Sequence, residues 1–141
     1  MERNFKKAKG WTLALAIVST VFGAFSLMSV LMVIFVIQDV FNLVEFVVWS
    51  LFYSTMAITF YRYCARLKEH DSVSQIPYKL WIGFQLGNIV WNAILLLLGV
   101  RPRGLEIIIV LPIIYSVVMS ALAIFPLIYL NKNKKEQSSI C

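Results

Sequence analysis

Four long apolar runs, at roughly residues 11–37, 46–65, 80–100 and 105–130, constrain this chain more than any other feature. Each is close to or longer than the ~20 residues an α-helix needs to cross a bilayer. Hydrocarbon offers no hydrogen-bond partner to a bare backbone amide, so runs of this length should be helices, whose amides are satisfied within the segment. A membrane β-barrel would show alternating segments of about 10 residues, and the sequence has none. The expected fold is an all-α integral membrane protein. Residues 1–131 would form a four-helix transmembrane bundle with both termini cytoplasmic, followed by a polar cytoplasmic tail at 132–141.

Composition agrees. Of 141 residues, 60% are hydrophobic and only 14% are charged, against about a quarter charged in a typical soluble domain. The basic start MERNFKKAKG followed by an apolar run resembles a signal peptide. The run nevertheless continues well past the ~7–15 residues of a signal core and lacks a small-residue cleavage site. Helix 1 is therefore expected to stay.

The net charge of +6 is distributed, not clustered in a binding fold. Arg3, Lys6, Lys7 and Lys9 precede helix 1. Arg62, Arg66, Lys68 and Lys79 flank the second connection, and Lys132, Lys134 and Lys135 follow helix 4. Only Arg101 and Arg103 fall on the other side. Basic residues favour the cytoplasmic side, which sets the expected topology. Attraction to anionic headgroups explains this charge more simply than nucleic acid, for which no partner role is expected. Aromatic residues at the same edge, namely Trp11, Tyr61, Tyr63, Tyr78, Trp81 and Tyr129, read as a headgroup belt. Trp49 and Trp91 fall within spans and read as packing residues. Cys64 and Cys141 both lie on the expected cytoplasmic side, which argues against a structural disulfide.

Helices in lipid gain little from hydrophobic contact, and their interfaces favour small residues. Helix 1 offers Ala16, Ser19, Gly23 and Ser26; helix 2 offers Ser50, Ser54 and Ala57; helix 4 offers Ser116, Ser120 and Ala123. Helix 3 offers Gly83 and Gly87 in G-x-x-x-G spacing. Pro126 should bend helix 4 near its end.

The exception to the apolar pattern is GFQLGNIVWN, residues 83–92. At 100° per residue Gln85, Asn88 and Asn92 share one side of helix 3, opposite Gly83 and Gly87. Pointed at lipid, these amides would cost on the order of a few kcal/mol each. They must face protein or water. Either they tie helices together, or they line a wet cavity, or they meet a partner chain.

Chemistry of other kinds is sparse. Asp39, Glu45, Arg101, Arg103 and Glu106 lie toward the outer rim, where an ion pair between Glu45 and an arginine is the expected role. No ionisable residue sits at mid-span, which counts against an ion-coupled carrier. His70, beside Glu69 and Asp71, has no converging ligands for a metal and no placed nucleophile. No catalytic residue, metal site or cofactor is expected. In size, short loops and its Gly10–Trp11 entry to helix 1 the chain resembles small four-span bacterial inner-membrane proteins, a likeness that carries over no site or activity. The expected role is a non-enzymatic accessory, regulatory or immunity-type subunit. It would bind a membrane-protein partner, or itself, within the bilayer of the bacterial cytoplasmic membrane, with a eukaryotic endomembrane as the alternative. The rival is an oligomeric channel or facilitator for a small polar solute, lined by the helix 3 amides. An enzyme acting on lipid headgroups through residues 66–71 comes third.

Overall fold

The computed structural model describes residues 2–37, 40–69, 71, 73–98 and 106–138, all but a short connection in helix. Helix α1 spans Glu2–Met32 and widens into a π-type turn at Val33–Ile37; α2 spans Val40–Lys68, α3 Ile76–Leu97 and α4 Glu106–Ser138. Each has a stretch long and apolar enough to cross a membrane. The described residues contain no strand. The chain is thus an all-α four-helix bundle of membrane-spanning type.

Two helix ends differ from the apolar boundaries. α1 starts at Glu2 and not at Trp11, and α4 continues past Leu130 to Ser138. Leaving hydrocarbon does not end a helix, because Lys, Asn, Gln and Glu are tolerated in one and water satisfies its frayed groups. α4 also runs unbroken through the buried Pro126. The second connection is short: the amides of Glu69 and Asp71 both donate to the Arg66 carbonyl, at 3.1 and 3.0 Å. The Ser74 hydroxyl oxygen accepts the Ile76 amide at 3.2 Å. Pro77 sits in the first turn of α3, where its missing donor costs nothing.

Both described termini and this connection lie at one end of the bundle. Cys64 Sγ is 3.9 Å from the Lys9 carbonyl oxygen, Thr12 bonds Tyr78 at 2.7 Å, and Gln75 Nε2 donates to Asn131 Oδ1 at 2.7 Å. Here too Trp11 stacks on Phe125 with centroids 4.4 Å apart, and Lys7 Nζ lies 5.5 Å from the Tyr129 ring centroid.

The helices meet in two different ways. α1 packs closely along α2, and the small residues explain it. A Cβ placed on Gly23 would already touch Ser54 Oγ at 3.5 Å and Tyr53 Cβ at 3.6 Å. Ser19 and Ser26 fold their hydroxyls onto the carbonyls four residues back, at 2.7 and 2.8 Å, which removes them as obstacles. Ser50 is buried and Ser54 partly buried. The α2 and α3 backbones, in contrast, stay largely apart. Aromatic rings fill the space between them. Phe52 stacks on Phe84 at 3.7 Å, Tyr53 meets Trp81 at 5.6 Å, and Phe60 meets Tyr78 at 5.3 Å and Trp81 at 5.8 Å. Tyr78 and Trp81 are therefore core residues, fully buried, and not members of a headgroup belt. An aromatic residue near a helix end fits either place, and the direction it faces decides which.

Candidate functional site

α3 buries one stripe: Tyr78, Trp81, Gln85, Asn88, Asn92 and Leu95. This is the face that the 3.6-residue period assigns to the amides. Gln85, Asn88 and Asn92 are 0%, 6% and 3% exposed, so they face protein inside a single chain.

Their contacts lace three helices. Trp81 Nε1 donates to the Met119 carbonyl of α4 at 2.9 Å. One turn on, Gln85 Nε2 donates to Tyr53 Oη of α2 at 3.4 Å, and Tyr53 is hydrogen-bonded to Tyr115 of α4 at 3.0 Å between hydroxyl oxygens. Asn88 Nδ2 donates to Ser116 Oγ at 3.3 Å. Asn92 Nδ2 donates to both the carbonyl and the side-chain oxygen of Asn88, at 2.7 and 2.9 Å. Bonds of this type contribute roughly 0.6 kcal/mol each on average. Gln85 Oε1 and Ser120 Oγ are buried with no hydrogen-bond partner among the described residues. Gln85 and Asn92 are packed among these partners, and Asn88, though buried, also borders an opening between α2 and α3.

This leads to a direct expectation. In a chain with Cys64 and Cys141 replaced by Ser, single cysteines at 85, 88 and 92 should resist a charged maleimide in open membrane fragments. A cysteine at the exposed position 71 should label under the same conditions. Labelling at 88 comparable to that at 71 would show the face to be wet.

The other expected residues separate into groups. Gly23 and Ser54 meet at the α1/α2 seam, Ser50 is buried one turn before Ser54 on α2, and Ser116 joins Asn88. Gly83 and Gly87 do not pack within the bundle, contrary to the spacing-based expectation. Both are exposed, and nothing lies within 4 Å of a Cβ built on either. The reason is geometric. With the amides turned inward, the opposite face of α3 must turn outward. Asp39, Arg101 and Arg103 lie outside the described residues, as does the side chain of Glu106. The expected rim ion pair therefore falls there too.

Glu45 is described, and it stands in a place the sequence did not indicate. At the end of the bundle away from the termini, the parting of α2 and α3 leaves a lateral groove of about 730 Å³. Val40, Val44 and Val48 of α2 line one side, and Phe84, Gly87 and Trp91 of α3 the other. Glu45, Trp49 and Asn88 complete it. Trp49 and Trp91, 42 positions apart in sequence, are brought to one site. Their separate positions within two spans gave no sign of it, and neither did anything mark Tyr53 and Tyr115 as partners.

At the connection, His70 lies outside the described residues. Arg66 Nε is 3.9 Å from Asp71 Oδ2, with both side chains more than half exposed, so the pair is weakly worth holding in water. No three His, Cys, Asp or Glu side chains converge among the described residues. Compared with family models, with curated proteins and with solved structures, the chain matches none.

Proposed function

We propose that this protein is a small polytopic membrane protein that acts without catalysis, as an accessory, regulatory or immunity-type subunit binding another membrane component through a helix face. In this reading it lies in a bacterial cytoplasmic membrane with both termini in the cytoplasm, where the basic residues at that end of the bundle meet anionic headgroups.

The observation that carries the reading is the outward face of α3. Leu80, Gly83, Gly87, Val90, Ile94 and Leu97 follow one another at steps of three and four, and all six are exposed. Two glycines with open space above them make a shallow trough in a ridge of apolar side chains. That is the shape into which a second transmembrane helix packs closely, by van der Waals contact and not by hydrophobic driving force. The inward face supports the reading from the other side. Its amide nitrogens donate within the chain, to Tyr53, Ser116 and Asn88.

The test uses the openness at Gly83. A Cβ there meets nothing within 4 Å and leucine is the better helix former, so Gly83→Leu should leave the bundle at least as stable as before. The full chain, tagged and solubilised in mild detergent, is expected to copurify with a membrane protein or with a second copy of itself. Gly83→Leu should reduce that recovery at least tenfold. A wild-type chain that is always alone, or recovery unchanged by Gly83→Leu, would remove the basis for the proposal.

A further inference from the structure

The first turns of α1 run ahead of its apolar stretch, and they are two-sided. Phe5 and Ala8 are buried in the core, whereas Arg3, Lys6, Lys7 and Gly10 face outward and are exposed. α4 passes antiparallel beside them. Lys7 Nζ stands 5.5 Å from the Tyr129 ring centroid, and one turn further into the span Trp11 stacks on Phe125 at 4.4 Å. The same register, continued one turn outward, brings Arg3 level with position 133, beside the exposed Lys132. On α4, Phe125, Ile128, Tyr129 and Lys132 share one side, because they are spaced three and four apart.

The α1/α4 seam therefore changes character in layers. Arg3, Lys7 and Lys132 supply cations at its outer end, Tyr129 a ring and a hydroxyl, and Trp11 and Phe125 apolar faces at its inner end. From Lys7 to Trp11 is roughly 6 Å along the helix at 1.5 Å per residue. A phospholipid presents its phosphate, its ester region and its chains in the same order. The other positive charge at this end is placed differently: Arg66 lies 3.9 Å from Asp71, and Lys68 precedes Glu69. Among the described residues no carboxylate pairs with Arg3, Lys7 or Lys132. Three cations that open onto lipid-facing rings are complementary to an anion with a hydrocarbon body. A zwitterionic headgroup would bring its own ammonium into that space, and a free phosphate would leave the rings unused.

We propose that the α1/α4 seam is a discrete site for one anionic phospholipid. Its phosphate sits among Arg3, Lys7 and Lys132, and the start of one chain lies against Trp11 and Phe125. Basic pockets between membrane helices bind anionic headgroups in this manner. Arg3 offers a planar fork of donors and the lysines offer point charges. The Tyr129 hydroxyl donates to a phosphate oxygen. The site rests on the reading that this end of the bundle meets headgroups. It does not rest on the α3 association face, with which it shares no residue.

Native mass spectrometry of the full chain, released from a nonionic detergent and titrated with dioleoylphosphatidylglycerol, counts and ranks the bound lipids. One phosphatidylglycerol should bind at least tenfold more tightly than dioleoylphosphatidylcholine, and at least tenfold more tightly than a second copy of itself. Lys7→Gln combined with Lys132→Gln should weaken this binding at least tenfold. Lys7→Arg, which keeps the charge, should weaken it less than twofold. Arg62→Gln combined with Lys79→Gln removes the same charge from α2 and α3 and should also change it less than twofold. Thermal melting checks each variant; if the first double variant melts early, Lys132→Gln alone is read, with a threefold loss expected. Equal losses in the two double variants would replace the site by diffuse attraction, overturning the proposal while the headgroup reading stands. Equal binding of the two lipids, or none, would remove both. Lys7→Arg binding as weakly as the Lys7/Lys132 double variant would overturn the site as well. Glycerophosphoglycerol, the headgroup without chains, should not compete. Displacement by it at the lipid's own concentration would reveal a site for a soluble anion and overturn the assignment to a lipid.

Discussion

Alanine in place of Trp81 is expected to lower the unfolding free energy of the bundle by about 2–3 kcal/mol, the largest loss from any single truncation. Trp81 is fully buried and touches the rings of Phe52, Tyr53 and Phe60, and its indole nitrogen donates to the Met119 carbonyl. Removing it empties the centre of the aromatic layer between α2 and α3 and leaves that carbonyl one donor short. In a water-soluble core such a change costs about 3–5 kcal/mol. In lipid the apolar surface uncovered on unfolding is not returned to water, so the transfer part shrinks and the lost packing remains. Unfolding in mixed micelles by titration of a denaturing detergent measures the difference. A loss below about 1 kcal/mol would mean that the rings are not what joins α3 to α2.

The second large effect depends on the size of the substituent at Gly23. A Cβ there sits in ordinary contact with Ser54 and Tyr53, so Gly23→Ala should be neutral or stabilise by up to about 1 kcal/mol through helix propensity. Gly23→Leu has no such room. Its extra atoms must push α1 from α2 along the closest seam in the molecule, at a cost of about 3 kcal/mol or loss of the folded bundle. The same unfolding titration reads both variants. Equal stability of the alanine and leucine forms would show that the seam can open and that Gly23 does not set its spacing.

The four spans were legible in the sequence because hydrocarbon leaves a backbone few choices and requires a minimum length. The amide face of α3 was legible as well, since three polar side chains at helical spacing share a side whatever their neighbours are. What period and composition do not carry is which element lies opposite a given face. Gly83 and Gly87 have the same spacing whether a helix covers them or not, and none of the described residues comes within 4 Å of a Cβ on either. Trp81 and Tyr78 had the position of headgroup residues and the burial of core residues. Tyr53 and Tyr115, one on α2 and one on α4, meet at their hydroxyls because the bundle folds them together. The groove holding Glu45, Trp49 and Trp91 is a product of two helices diverging, and no local pattern encodes a divergence.

The uneven lacing of the helices has a mechanical consequence. Near the termini, α1 is tied to α2, α3 and α4 through Lys9, Thr12 and Trp11, and α3 to α4 through Gln75 and Trp81. Toward the other end α2 and α3 part around an opening. Among the described residues, α2 and α3 are thus joined by rings on the terminal side and separated at the groove. A disturbance of this pair is expected to show mainly as a change in the width of that opening.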